Sequence, residues 1–370
     1  MKILFVLKNY YPSQLGGPAN ALYWHNMYLK GQGVQTIVVT TSDGIDKSCV
    51  NFDEWIEDGN YKVKYCSNIR KMLVSALKEV VRCDVIQFSS ICYPYNLLLT
   101  LIALFLKKKI IISPRGELFE SAVKSRKTLF KKIWFSFYRI FQKKINFHAT
   151  SVDEKMCIIK NFPKATIFIQ INLMNAKYVE FSDKRGNDLI FLGRISRIKS
   201  IHKLLYALKC SRIFMSMDAC LKIVGKPTSS DDKIYLEELK VIINDLSLED
   251  KVIFLGHLEG EEKENVLAES KALVLPSESE NFANVVIEAM SVSVPVIASL
   301  GSPWACLKEE KIGWWVSNDP NKLSKAIDDV YLLSESDYVS LCKSCLDFVK
   351  FKFDICGEEN KWLKIYKDLK

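Results

Sequence analysis

Short apolar runs of strand length recur along this chain with longer helical patterns between them, and that alternation limits the possible folds more than any other feature. In the first half the runs are Ile3–Leu7, Thr36–Thr40, Val85–Phe88, Ile110–Ile112, Asn146–Ala149 and Thr166–Ile169. Helical patterns cover Pro18–Lys30, Lys71–Val81 and Asp153–Lys160. The second half repeats the scheme with Leu189–Leu192, Cys220–Val224, Val252–Leu255, Ala272–Leu275 and Val294–Ala298. Strands that alternate with helices are joined by crossovers, which build parallel sheets from βαβ units. A chain of 370 residues suits two such domains, each able to bury its own core. The polar stretch Phe181–Asp188 reads as the linker between them. The expectation is therefore α/β, with domains at 1–180 and 181–345 and a helical segment at 346–370.

The composition, 49% hydrophobic and 26% charged, is that of a soluble globular protein. Met1-Lys2 runs straight into Ile3–Leu7, too short for a secretory leader and without a cleavage site. The longest apolar run, Leu97–Leu106, is interrupted only by Thr100 and falls far short of the roughly 20 residues that span a bilayer. The eleven cysteines lack paired spacing. Cys342 and Cys345 form a lone C-x-x-C, whereas a zinc ribbon needs a second pair and a redox motif opens a helix after a strand. Free thiols in a reducing cytosol are expected. With four histidines and no Asp-x-Asp, the chain lacks the acidic ligands by which a divalent ion grips a diphosphate, so neither metal nor other cofactor is expected.

Charge is uneven. Residues 1–180 hold 26 Lys and Arg against 13 Asp and Glu, a net +13, while residues 181–370 hold 26 against 30, a net −4. Eight of the basic residues lie between Lys124 and Lys144, interleaved with Leu129, Phe130, Ile133, Trp134, Phe137, Tyr138, Ile140 and Phe141 at near-helical spacing. A basic, aromatic, amphipathic helix suits an anionic membrane surface. The same spacing suits a helix with an inward apolar face and lysines in solvent. No motif that reads RNA or DNA accompanies the charge, so no nucleic-acid partner is expected.

Two carboxylates eight residues apart bound the segment Glu280-Asn-Phe-Ala-Asn-Val-Val-Ile-Glu288. Glu261 and Glu269 share that spacing but read as a solvated helix face. What sets the first pair apart is its position between the run Ala272–Leu275 and a helix from Asn284, with Asn284 placed to cap it. A helix start offers unpaired amides and partial positive charge, which suit a phosphate. Carboxylates on either side suit sugar hydroxyls. Together they describe a clamp for a sugar–diphosphate–nucleoside.

The run SESENFANVVIEAMSVSVPVIAS resembles the E-x7-E region of glycosyltransferase family 4, with the helix and strand that follow it. Gly193-Arg194-Ile-Ser-Arg-Ile-Lys199 is similar to the family's G-R-x…K segment, in which Arg and Lys reach the donor diphosphate. Breaking a sugar–phosphate bond leaves growing negative charge on the diphosphate, and fixed cations aimed at it favour the transition state. Arg197 stands nearby, but the family's spacing favours Arg194 and Lys199. Gly16 and Gly17, ahead of Pro18, resemble the family's glycine loop over the donor phosphates; the same residues also read as a plain turn with Pro18 at the first helical position. By resemblance His257 lines the nucleobase pocket, and Asn281, Phe282, Ala283, Asn284 and Val285 join Glu288 as donor contacts. The loop Gly301-Ser-Pro-Trp304 is similar to a subfamily's Gly-x-Pro-Trp, which closes over the donor. His148 reads as structural.

Two segments depart from the family. Arg115, in Ile112-Ser-Pro-Arg115-Gly-Glu117, stands where many members carry a His that contacts sugar or acceptor. An Arg cannot act as a base near neutral pH but can hold an acceptor phosphate, and Glu117 is a second candidate acceptor contact. Ile169–Asn175 replaces the Pro-Asn-Gly of many relatives before the linker.

The resemblance implies a GT-B fold: two doubly wound, Rossmann-like domains facing a cleft, an acceptor domain at 1–180 and a nucleotide-sugar domain at 181–345. It further implies that 346–370 crosses back to the first domain. The implied activity is retaining transfer of a hexose-type sugar from a nucleotide-diphosphate sugar to a glycan or lipid-linked glycan. The implied setting is bacterial O-antigen or capsule synthesis, in the cytoplasm or on the inner face of the membrane. Glu280, Arg194 and Lys199 would carry the chemistry. Front-face departure fits better than double displacement, since no covalent nucleophile is evident. A sugar-nucleotide epimerase and a non-catalytic membrane scaffold are the rivals: the first needs no acceptor, and the second is indifferent to Glu280→Ala.

Overall fold

The computed structural model describes residues 1–13, 17–46, 48–119, 128–175, 177–182 and 185–369, without the side chains of 17, 18 and 128–132. The chain forms two compact units, one of Met1–Asn175 with Phe353–Lys370 and one of Ala176–Lys352.

The first unit is an eight-stranded sheet in the order β3-β4-β2-β1-β5-β6-β7-β8. Its strands are β1 (Lys2–Val6), β2 (Gln35–Thr41), β3 (Trp55–Asp58), β4 (Tyr61–Cys66), β5 (Val85–Ser89), β6 (Lys109–Ser113), β7 (Asn146–Ala149) and β8 (Thr166–Ile169). All pairs are parallel except β3 with β4. Leu4 pairs with Ile37 on one side and Ile86 on the other, so β1 is central. Successive side chains of a strand point to opposite faces. Leu4 and Val6 accordingly join one buried cluster, with Phe88 and Ile112, while Ile3 and Phe5 join another, with Val38 and Ile111. A strand buried on both faces reads as a continuous apolar run, which is why these strands were legible.

The second unit is a six-stranded parallel sheet in the order β11-β10-β9-β12-β13-β14. Its strands are β9 (Leu189–Leu192), β10 (Leu221–Val224), β11 (Val252–Gly256), β12 (Ala272–Leu275), β13 (Val296–Ser299) and β14 (Gly313–Val316). In each sheet the strand order turns back at one point, between β1 and β5 and between β9 and β12. Open α/β sheets bind ligands beyond the carboxyl ends of their strands at such a point.

Several sequence expectations change. The chain passes between units after Asn175, not at 180/181. Phe181–Asp188 belongs to the second unit, where Arg185 donates to the carbonyls of Ala268, Val292 and Ser293 at 3.0, 2.8 and 2.5 Å. A polar stretch that reads as a linker is thus tied down by one guanidinium. The second unit runs to Lys352 rather than 345, because one unbroken helix spans Glu335–Phe353. Phe353–Lys370 then rejoins the first unit, whose core takes in Trp362, Tyr366 and Leu369. The apolar run near Leu97 is the helix Pro94–Phe105, opened by Pro94 in its first turn. The strand before Arg115 is the sixth, because β3 and β4 were not foreseen; β4 alternates Lys62 and Lys64 with Val63 and Tyr65 and so lacks an apolar run.

The segment 124–144 folds in part as the helix Thr128–Phe141, and 124–127 lie outside the described residues. Both readings of it find residues. Phe135 and Tyr138 are buried in the core, while Ile133 and Ile140 remain 54% and 75% exposed.

Candidate functional site

In the second unit the carboxyl ends of β9 and β10 meet backbone to backbone. Gly193 donates to the Val224 carbonyl at 2.9 Å, and a Cβ on Gly225 would lie 1.9 Å from the Gly193 oxygen. Only glycine fits at Gly225, whose φ of +147° is also open chiefly to glycine. Beyond this crossing Arg194 is exposed and makes no ion pair among the described residues. Arg197 is turned aside, ion-paired with Glu238 and lying 5.3 Å from the Tyr235 ring centroid. That contact separates the two arginines, which spacing alone could not do.

Lys199 closes a single 3-10 turn, Arg197–Lys199, and reaches the loop after β12. Its Nζ lies 2.5 Å from Glu280 Oε1, with side chains 18% and 9% exposed. Ser277 Oγ donates to the same carboxylate oxygen at 2.6 Å, and the Glu280 amide donates to the Gly301 carbonyl at 2.7 Å. Two of the three residues assigned to the chemistry are thus a half-buried ion pair at the switch point of the sheet, and the third, Arg194, is exposed just after β9.

Glu278 was not foreseen. Its amide donates to Ile198 O at 2.8 Å, and its carboxylate accepts from Lys203 at 2.6 Å and Ser200 at 3.0 Å. Lys203 above all holds that carboxyl below the usual carboxylate range. These bonds stitch the turn carrying Lys199 to the loop carrying Glu280. Gly301 completes the seam, because a Cβ there would meet Glu278 O at 2.4 Å.

The helix Asn284–Ser291 starts between the carboxylates, but Asn284 is not its cap. The cap position belongs to Ala283, in a left-handed conformation with φ 62° and ψ 67°. An Ala in that conformation is strained, a condition that gathers at functional sites. Asn281, Ala283, Asn284 and Val285 are half-buried around this start. Phe282 is buried instead, and its carbonyl accepts from Trp304 Nε1 at 2.5 Å. Trp304 is itself only 2% exposed, so the Gly301–Trp304 loop is core rather than a cover. Glu288 accepts from Lys263 at 3.2 Å. His257 stands apart: it follows edge strand β11, with β10 and β9 between it and β12, and lies 2.7 Å from Glu259.

In the first unit a cavity of about 190 Å³ opens beyond β1, β5 and β6, lined by Lys8, Asn9, Ser89, Tyr93, Arg115 and Glu117 among others. Glu117 is engaged by the protein itself, accepting from Ser90 Oγ and the Ile91 and Cys92 amides at 2.7, 2.7 and 3.1 Å. It shapes the loop after β5 while also lining this cavity. Arg115 has a left-handed backbone, φ 55°, and donates through Nη1 to Asn172 Oδ1 at 2.7 Å. Its Nε is buried with no hydrogen-bond partner. Gly16 lies outside the described residues, and Gly17 opens the helix Gly17–Gly31.

His148 is buried between Ser113 Oγ and the Gln170 carbonyl, at 2.9 and 2.8 Å from its two nitrogens. Burial, reinforced by the Arg115 charge, pushes its pKa down to about 3, and burial lowers that of His25 as well. The native state therefore binds fewer protons than the unfolded chain, where a His titrates at about 6.5. Stability from His148 is complete above that pH and falls by ~1.4 kcal/mol per unit as pH drops toward its folded value. Thermal unfolding of the first unit should show a midpoint that declines below about pH 6.5, with a shallower decline in His148→Gln. A flat midpoint down to about pH 4.5 would contradict this account.

Comparison with known proteins fits the second unit first: residues 175–340 match the family model for glycosyl transferases group 1. An uncharacterized glycosyltransferase of Methanocaldococcus jannaschii is 29% identical over 199 residues, 49% of each chain. An alpha-1,3/1,6-mannosyltransferase of Yarrowia lipolytica is 29% identical over 154 residues, 41% of this chain and 31% of that one. The chain thus spans half or less of the length of these curated relatives. Among solved structures, HepE of Anabaena in complex with UDP and glucose superimposes over 100% of both chains, with a TM-score of 0.76 at 16% identity. Residues 175–340 are thus similar to the glycosyl transferases of group 1, and the two-sheet α/β architecture is a GT-B fold.

Proposed function

We propose that this chain is a retaining glycosyltransferase that moves a hexose-type sugar from a nucleotide-diphosphate sugar to a glycan, free or lipid-linked, in bacterial surface-polysaccharide synthesis. One observation carries the reading: the Lys199–Glu280 pair at the β9/β12 switch point, with exposed Arg194 just after β9 and the helix Asn284–Ser291 just after Glu280. The relatives' names and the UDP and glucose in the Anabaena complex support it.

On this reading the diphosphate takes the helix start, Arg194 and Lys199. Lys199 then exchanges its carboxylate partner for phosphate oxygens, so the charge it loses at Glu280 is replaced at the donor. Glu280, released, accepts hydrogen bonds from the sugar hydroxyls, and Glu288 holds the ribose. Arg194 and Lys199 meet the charge that grows as the bond to the anomeric carbon breaks, without need of a metal. A diphosphate oxygen takes the acceptor proton on the face that the leaving group vacates.

A site on the cytoplasmic membrane face is part of the proposal. Leu98, Leu101 and Phe105 are 43%, 45% and 86% exposed on their helix, and Ile133 and Ile140 on theirs. Exposed Arg139, Lys143 and Lys144 supply charge for anionic lipid. No helix among the described residues is long and apolar enough to cross a bilayer.

A thermal-shift screen of UDP, GDP and ADP and their sugars tests the reading. A nucleotide at a hundred times its Kd should stabilise the protein by about 2.7 kcal/mol. No response to any of them would sink it. Turnover of donor without acceptor to an epimeric sugar nucleotide would favour an epimerase.

A further inference from the structure

We propose that the cavity at the carboxyl ends of β1, β5 and β6 takes an acceptor that carries an anionic group, a phosphate or a carboxylate, held by Lys8 and Arg115. The proposal rests on the glycosyltransferase reading and narrows its acceptor to a chemical class.

Arg115 carries the argument. Its guanidinium has no carboxylate within ion-pair reach among the described residues, one bond to a neutral amide, and a buried Nε with no partner. A half-buried cation with its Nε buried in that state is costly and is retained where something anionic arrives to meet it. Its left-handed backbone adds strain, and strain of this kind gathers at ligand clamps.

The carboxylates nearby do not serve as its partner. Glu117 is taken by three donors of the loop after β5. Glu154, buried behind the turn, accepts from the Gly116 amide at 2.7 Å and from the amide and hydroxyl of Thr150 at 2.8 Å each. The other titratable neighbours, His25, His148 and Tyr366, are held neutral by burial and so add no negative charge. Lys8 is the second cation on the cavity wall. Its only ion pair among the described residues is with Asp43, at 3.3 Å, and both side chains are nearly half exposed, at 43% and 49%. A pair so open to water is weak and exchanges readily for a better anion.

The cavity therefore offers one half-buried cation and one with an exposed side chain in front of engaged carboxylates. Arg binds phosphate or carboxylate in two-pronged geometry, and Lys adds a point charge. Asn9, Ser89, Ser90 and Tyr93 give the wall polar and aromatic groups of the kind that receive a sugar ring or a hydroxy acid, beside apolar Leu7 and Ala19. At about 190 Å³ the space admits the anionic group with its neighbouring atoms, and a longer glycan would extend beyond it.

The test uses the full chain with Arg194 and Lys199 replaced by Ala, so that the donor site contributes no anion binding. Inorganic phosphate and malonate are the free-anion probes, and vesicles of phosphatidylglycerol in phosphatidylcholine are the headgroup probe. Stabilisation by phosphate or malonate, weakened about tenfold by adding Lys8→Ala or Arg115→Gln, is the expected result. Lys8→Ala alters an exposed side chain, so it keeps the test decisive even where Arg115→Gln fails to fold. Binding to the vesicles alone, lost in the same variants, assigns the anion to a lipid headgroup; response to free anions assigns it to a soluble acceptor. No binding of any probe, or binding indifferent to both substitutions, overturns the proposal. Nucleotide stabilisation of the unsubstituted chain is read in parallel. If it holds while the anion arms fail, only the anionic acceptor is lost; if it fails, the transferase reading falls.

Discussion

Glu280→Ala should lower the turnover of sugar transfer by about 10²- to 10³-fold while leaving nucleotide-diphosphate affinity unchanged or slightly higher. The direction on binding follows from the ion pair. Lys199 and Glu280 hold each other at 2.5 Å in a setting only 9–18% exposed, so an arriving diphosphate must first displace the carboxylate from the lysine. Without Glu280 that competition is absent, and Lys199 is free for phosphate. The direction on turnover follows from the sugar, which loses the acceptor for its hydroxyls. Glu288→Ala should act the other way, weakening nucleotide binding more than turnover at saturating donor, because Glu288 sits within the helix and is held by Lys263. Titration calorimetry with the nucleotide, beside turnover of the two variants, separates them. Equal losses in both quantities for both variants would refute the division of labour.

The outcome at Glu280 also depends on residues that do not touch a ligand. Ser277 holds the same carboxylate oxygen that Lys199 binds, and the Glu278–Lys203 bridge fixes the loop relative to the turn that bears Lys199. A carboxylate held this firmly from behind needs no reorganisation when the sugar binds, which is the condition for strong electrostatic stabilisation.

Why some of this was legible in sequence and some was not has a physical answer. β9 and β12 are buried on both faces, so Leu189–Leu192 and Ala272–Leu275 read as apolar runs with the observed bounds, and the loops after them carried the motif. What failed were features set by contacts distant in sequence. Gly225 looks like any turn glycine until Gly193 O is seen 1.9 Å from its absent Cβ. Asn284 is a good capping residue by type, yet the left-handed Ala283 takes the position one residue earlier. The three donors of the loop after β5 that hold Glu117 were likewise invisible in the sequence. Trp304 sits in a motif expected to close over the donor and is buried against Phe282, ring centroids 5.8 Å apart. Residue type set what each side chain can do, and packing decided which of those uses remained.

Trp362→Ala should destabilise the first unit by about 3–5 kcal/mol, which for a unit of this size lowers its unfolding midpoint by roughly 10 °C. The residue lies far along the chain from every strand of that unit, yet it is 4% exposed within its core. Its ring stacks on His25 at 4.2 Å and meets His148 and Phe168 edge-on at 4.7 and 5.7 Å. Tyr366, one turn on, donates to Gln87 Oε1 at 2.6 Å, which anchors the same helix to central strand β5. Removing the indole leaves a cavity bordered by two imidazoles and Arg115, polar groups that tolerate a void less well than apolar ones unless water fills it. The loss should therefore fall at the upper end of the range in a dry cavity and at the lower end in a wet one. Phe351→Ala is the control: it removes an aromatic ring from the neighbouring helix Glu335–Phe353, but one that is 65% exposed and should cost within about 0.5 kcal/mol. If the two variants melt alike, the terminal helix is a surface strap. If they differ as expected, the first unit cannot be completed until residues 353–369 have been made, and its folding waits on the last residues of that unit.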